Sequence, residues 1–204
     1  MTATDTLSPA SPSLDFDAAR RAMIDSQLRP SGVNAPMVLE RMAAVPRERF
    51  VPAALADVAY IDRSIALGDG GHLAAPLFYG QLLVEARPVP SDRVLVVDGG
   101  SGYLAELVRP LVAATDSVTP AELGTVAAGA GYTLVLIDGA GEQLPPELSA
   151  AMAEGGRVLG GVIQRGITSL AVGRKAGSDL ALMPLSEMGI PRIAAFDAPK
   201  GWSF

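Results

Sequence analysis

From Val94 to Val97 the chain runs apolar without a break, then turns through Asp98-Gly99-Gly100-Ser101-Gly102 into a helical pattern at Tyr103. A continuous apolar run of this length fits a strand covered on both faces. Leu134 to Ile137 repeats the character, so strands over 93–97 and 132–137 form the predicted centre of a parallel sheet. Upstream, Ala18, Ala22, Met23 and Leu28 share one side of a helix over 15–29. A second helix is predicted over 35–45, with Pro36 near its start. A short helix follows through Val58, then a glycine-dense loop over 60–75 and a helix over 76–85. Downstream of Arg93 the reading is a helix over 103–113, a weak strand near 116–118, a helical stretch over 120–128 and a helix over 145–154. A strand over 157–163, a hairpin of 170–174 with 180–184 and a last strand over 192–196 complete it. The fold class is therefore α/β, an open doubly wound and mostly parallel sheet under an N-terminal helical cap. Residues 1–14, rich in Thr, Ser and Pro, are expected to be a disordered tail. Residues 15–204 then form one domain, with cap and loop over 15–92 and the sheet over 93–204.

Composition narrows the chemistry. The net charge is −6 and no Lys/Arg cluster stands out, which argues against nucleic acid or an anionic membrane as partner. There is no cysteine and one histidine, His72, so thiolate and multi-histidine metal sites are excluded and no metal is expected. No apolar run reaches the ~18 residues of a membrane span, and the N-terminus lacks a basic-then-apolar leader; a cytoplasmic protein is expected.

Chemistry concentrates around the glycine turn. Gly100 and Gly102 can adopt positive φ and bring backbone N–H groups close to a ligand. Gly100-x-Gly102-x-x-Ala105 also fits a dinucleotide fingerprint, with Glu122 as a ribose acid; a tight turn without a ligand explains it equally well. Asp98 and Asp138 end two strands and could meet in one crevice, sharing a proton or attracting a cation. Separate solvated or capping roles are the alternative. His72 is a weak candidate for a general base, against a loop histidine bonded to backbone. Tyr60 and Asp62 would anchor the glycine loop.

Gln27-Leu28-Arg29-Pro30, Val45-Pro46-Arg47-Glu48-Arg49-Phe50-Val51-Pro52, Ala59-Tyr60-x-Asp62 and a glycine-rich loop ending at Pro76 occur in that order before Gly100-Ser101-Gly102-Tyr103. Leu144-Pro145 and Gly155-Gly156-Arg157-Val158-Leu159 follow. Together these resemble the protein-L-isoaspartate O-methyltransferases over residues 18 to 175, which displaces the nicotinamide reading. The resemblance implies a methyltransferase (Rossmann-like) fold, S-adenosylmethionine as donor, a protein or peptide substrate and methylation of isoaspartyl α-carboxylates. Cofactor contacts would fall on Asp98, Gly100, Ser101, Gly102 and Asp138.

The chain departs from the family pattern where that chemistry would sit. The family loop Gly-x-Gly-Gln-Thr-Ile-Ser-x-Pro reads here Gly68-Asp69-Gly70-Gly71-His72-Leu73-Ala74-Ala75-Pro76, so Ala74 replaces the active-site serine and no catalytic residue is assigned. The family's acidic residue before the turn falls at Val96 and its first glycine at Asp98. The second strand ends Val118-Thr119-Pro120 without an acid for the ribose, leaving Glu122 as a displaced substitute. Only 29 residues separate Tyr103 from Thr133, whereas two further strands with their helices need about 40; one strand, with its adenine bracket, is expected to be missing. The expectation is a degenerate, non-catalytic family member with a binding or assembly role, in which S-adenosylmethionine binding is compromised. The alternative is an active carboxyl methyltransferase with a reduced cofactor pocket. The sheet edge left near Asp116 to Val118 points to a homodimer.

Overall fold

A computed structural model describes residues 15–199; the expected tail over 1–14 lies outside them. The cap begins with α1 (Phe16–Met23), capped by the Asp15 carboxylate on the Ala18 N–H. It continues as one π-helical stretch, Ile24–Leu28, closed by the Arg29 N–H on the Ile24 carbonyl. Then come α2 (Pro36–Ala44), 3-10 turns at Arg47–Phe50 and Ala53–Val58, a short ladder of β1 (Ile65–Ala66) with β2 (His72–Leu73), and α3 (Pro76–Ala86).

The main sheet holds β3 (Arg93–Val97), β4 (Ala114–Val118), β5 (Tyr132–Gly141), β6 (Met152–Gln164), β7 (Ile167–Ala176) and β8 (Asp179–Glu187). They lie in the order β4-β3-β5-β6-β7-β8. The first four strands pair in parallel, while β6, β7 and β8 pair antiparallel. The central runs divide by alternation, as pleating requires. Val94, Val96, Leu134 and Leu136 face the core under the cap and α4 (Tyr103–Val108). Leu95, Val97, Val135 and Ile137 face a second core with α5 (Pro146–Ala151) and Phe196.

Several local expectations need correction. The helix over 145–154 ends at Ala151, because Met152 already pairs with Tyr132 in the sheet. The helix over 103–113 gives way to a 3-10 turn at Arg109–Leu111, where Pro110 has no N–H to continue it. The stretch over 120–128 is a 3-10 turn, Pro120–Thr125. The last strand over 192–196 is a single bridge, Arg192 to Ala140, followed by a 3-10 turn at Ala194–Phe196. Between α4 and β5 the described chain has one strand, β4, and it forms the sheet edge.

Candidate active site

The chain leaves β3 toward β4 on one side and returns to β5 on the other, so the carboxyl ends of β3 and β5 flank a topological switch point, the usual ligand position in open α/β sheets. A crevice of about 350 Å³ opens there. Asp69 and His72 line it from the glycine loop, Asp98 to Gly100 from the turn, and Arg192 and Ile193 from the C-terminal segment.

Four features set its chemistry. The first is the Asp98 side chain. Its Oδ2 accepts the Gly100 N–H at 3.1 Å and its Oδ1 the Gly102 N–H at 2.9 Å. With positive φ at both glycines, the turn points these donors inward as an anion-binding nest ahead of α4. The chain's own carboxylate occupies that nest.

The second is His72, which lies over Gly99. Its backbone N–H donates to the Gly99 carbonyl at 2.8 Å, and its Nε2 is 2.8 Å from the Asp138 carbonyl. A carbonyl only accepts, so Nε2 carries the proton. A Cβ on Gly99 would collide with the imidazole, and one on Gly100 would come within 2.8 Å of Gly71 Cα. The glycine loop and the turn therefore touch backbone to backbone. Burial lowers the His72 pKa, against the opposing pull of the Asp138 carbonyl and the Asp98 charge, which favours the neutral ring.

Third, Asp138 is wholly buried behind His72 and does not line the crevice. The reading in which Asp98 and Asp138 meet in one crevice is thus not realised, and Asp138 is not the crevice-lining residue that the candidate cofactor contacts included; the two interact only through their fields. Asp138 Oδ2 accepts from the Tyr79 hydroxyl at 3.1 Å, and Oδ1 has no partner among the described residues. Burial first, and the Asp98 charge second, push its carboxyl up to about 8. His72 Nε2 lies 3.8 Å from Oδ1. That is too long for a hydrogen bond, and with a protonated acid beside a neutral ring it is not an ion pair.

The fourth is the C-terminal segment. β5 pairs with β6 as far as Gly141, and β3 occupies its other edge up to Ile137. Beyond that point residues 191–193 take the vacated edge, with Ala140 N–H on the Pro191 carbonyl at 2.7 Å and Ile193 N–H on the Ala140 carbonyl at 2.8 Å. Ile193 and Phe196 press within 2.6 and 2.5 Å of where Cβ atoms of Gly139 and Gly141 would be. Arg192 clasps the segment through Glu142 at 2.9 Å and Asp197 at 2.6 Å.

The other candidates have structural duties. The Glu122 carboxylate is turned back onto the Thr119 N–H and hydroxyl as a capping box. Ser101 Oγ accepts from the Tyr103 N–H within the turn. Tyr60 is buried, accepting from Arg20 Nε and donating to Glu48; Asp62 is exposed. At Ala74 the N–H donates to Tyr79 and the carbonyl accepts from the fully buried Arg47 at 2.8 Å. Sequence reasoning did not assign Tyr79, Gly99 or the 191–196 segment to the site. Gly139 and Gly141, alternating along β5, were the available hint of a close-packed neighbour.

The protein-family model described as protein-L-isoaspartate(D-aspartate) O-methyltransferase matches residues 18–122, just over half the chain, with nearly all of the cap and the glycine loop and turn of this crevice. The chain belongs to that family. A protein-L-isoaspartate O-methyltransferase of Koribacter versatilis is 33% identical over 87% of this chain and 92% of its own length. One from Methanoregula boonei is 31% identical over 78% and 85%. Among solved structures, a protein-L-isoaspartate O-methyltransferase of Plasmodium falciparum in complex with S-adenosyl-L-homocysteine superposes with a TM-score of 0.66 at 13% identity, covering 90% of this chain and 100% of that one. The isoaspartyl methyltransferase fold is therefore present, including its helical cap. No helix among the described residues is long and apolar enough to cross a membrane.

Proposed function

We propose that this chain is a non-catalytic isoaspartyl methyltransferase homologue that keeps the fold for a binding or assembly role and does not take up S-adenosylmethionine. The observation that carries the reading is the Asp98 carboxylate seated on the N–H groups of Gly100 and Gly102. S-adenosylmethionine needs an open backbone turn at its methionine end, an acceptor for its ribose and a slot for its adenine. Asp98 fills the first. At the second, β4 runs into Thr119-Pro120 and Glu122 is spent on capping. At the third, no strand lies outside β4 among the described residues. These residues do not fit the cofactor. Ala74 also lacks the hydroxyl of the family's serine, and both of its backbone groups are already bonded.

Losing one charge-assisted contact costs about 1.5–3 kcal/mol, so two such losses weaken binding by roughly a hundredfold or more. Calorimetry with S-adenosylmethionine and S-adenosylhomocysteine is expected to show no binding in the micromolar range. A low-micromolar dissociation constant for either would overturn the proposal. It would favour the second reading, an active enzyme with a reduced pocket, which the remaining crevice of about 350 Å³ supports. Asp98→Gly is expected to strengthen whatever residual binding exists, because it frees the two N–H groups; weaker binding would mean that the carboxylate recruits the cationic sulfonium.

Pairing of two copies along β4 belongs to the same proposal. Its outer edge has no partner strand among the described residues, and its five residues include one charge, Asp116, little protection for an open edge. Sedimentation at micromolar concentration is expected to give a dimer. A monomer, or a dimer unaffected by proline at Ser117, would count against this use of β4.

A further inference from the structure

Three aspartate–glycine steps lie at the crevice or directly behind it: Asp69-Gly70, Asp98-Gly99 and Asp138-Gly139. An aspartate followed by glycine is chemically exposed, because the next backbone nitrogen meets no side chain on its way to the carboxyl carbon. Their environments are not alike, and we infer that Asp69-Gly70 alone is a site of spontaneous isoaspartyl formation in the folded protein.

The neighbouring glycines separate the three. A Cβ on Gly99 would strike the His72 ring and come within 2.6 Å of the Asp138 carbonyl, and a Cβ on Gly139 would lie 2.6 Å from Ile193. Both glycines are closely packed, so turning either peptide toward the carboxyl before it requires local opening. Nothing lies within 4 Å of the same position at Gly70, whose φ is +89°. The carboxyls differ as well. Asp98 is held by two backbone N–H groups and Asp138 is fixed within β5, whereas Asp69 is exposed. Asp69 Oδ1 accepts one bond, from the Gly71 N–H at 3.0 Å, an Asx turn that folds the carboxyl back over the Gly70 peptide.

The step balances with water alone. The Gly70 nitrogen attacks Cγ of the protonated Asp69 carboxyl and a C–N bond forms. The nitrogen loses its proton and the hydroxyl leaves with it as water, closing a succinimide. Water then adds at the former main-chain carbonyl of Asp69 and breaks its bond to nitrogen. The backbone now runs through Cγ, with the α-carboxylate free at the rim of the crevice. The loop gains one backbone atom between Leu67, whose N–H bonds the Gly71 carbonyl, and His72, which bonds the Gly99 carbonyl.

The test is prolonged incubation of the folded protein at neutral pH, followed by digestion and mass spectrometry that distinguishes isoaspartate from aspartate. Conversion at Asp69 is expected to exceed that at Asp98 and Asp138 by roughly tenfold or more, since the latter two require local opening first. In the urea-unfolded chain the three sites should converge. Asp69→Glu, which cannot close a five-membered ring, should abolish the signal without touching the fold. Asp69→Asn should accelerate it through the same ring. Equal conversion at the three sites in the folded protein would overturn the inference, as would an unconverted Asp69 when the unfolded chain converts. Neither result depends on whether the crevice binds a cofactor.

Discussion

Arg47→Ala is expected to destabilise the protein by about 3–5 kcal/mol, read as a lowered midpoint in urea unfolding. Arg47 is completely buried. Its Nε donates to the Ala59 carbonyl and its Nη2 to the Ala74 carbonyl, each at 2.8 Å. The guanidinium also lies 5.0 Å from the Tyr103 ring centre and 5.6 Å from that of Tyr79, within range of cation–π attraction. Alanine strands two buried carbonyls, at about 1–3 kcal/mol each, and leaves a cavity. Relief of the unpartnered Nη1 offsets part of this. Arg47→Lys keeps the charge but not the fork that reaches both carbonyls, so it should recover less than half of the loss. A loss below about 1 kcal/mol for Arg47→Ala would show that the cap and glycine loop are held by other contacts.

Asp138→Asn is expected to gain roughly 2–4 kcal/mol more stability at pH 8 than at pH 5. Asp138 has its carboxyl pushed up to about 8 from an ordinary 3.8. The unfolded chain loses that proton near pH 4 and the folded chain holds it until about pH 8. Unfolding therefore releases a proton across this window, and stability falls as pH rises, by up to about 1.4 kcal/mol per unit. Asparagine keeps an acceptor for Tyr79 and cannot ionise, so this slope should vanish. His72 acts with the opposite sign. Its folded pKa is lowered from 6.5, so its contribution is present above that value and is lost as pH falls below it. Below pH 6.5 the two effects oppose one another, so the parent should lose stability most steeply between about pH 6.5 and pH 8, and the variant should lose only that alkaline decline. Melting curves at pH 5 and pH 8 decide it: an unchanged alkaline slope in Asp138→Asn would mean that Asp138 is ionised in the folded protein.

Burial of Asp138 was not legible from its place at a strand end, since an aspartate beside a glycine reads equally well as a solvated cap. What buries it is His72, 66 residues earlier in the chain, together with Tyr79 on α3. Glu122 was open to misreading for a related reason. Its spacing from Gly102 suits a ribose acid, yet it answers to Thr119 three residues before it, because a local capping box forms without help from the tertiary fold. Tyr60 was read as an anchor of the glycine loop because it precedes that loop, but its hydroxyl partners, Arg20 and Glu48, lie in the cap.

The two central strands, the helical cap and the single strand between α4 and β5 were determined by the sequence alone. Apolar runs, proline and glycine act over a few residues, and chain length bounds what can fit between two strands. Only the tertiary structure decided the state of the crevice. The closure of His72 over Gly99 and the entry of residues 191–193 beside β5 depend on distances between parts of the chain far apart in sequence. No local pattern encodes those distances; they follow from how the strands pair and which glycines let backbone approach backbone.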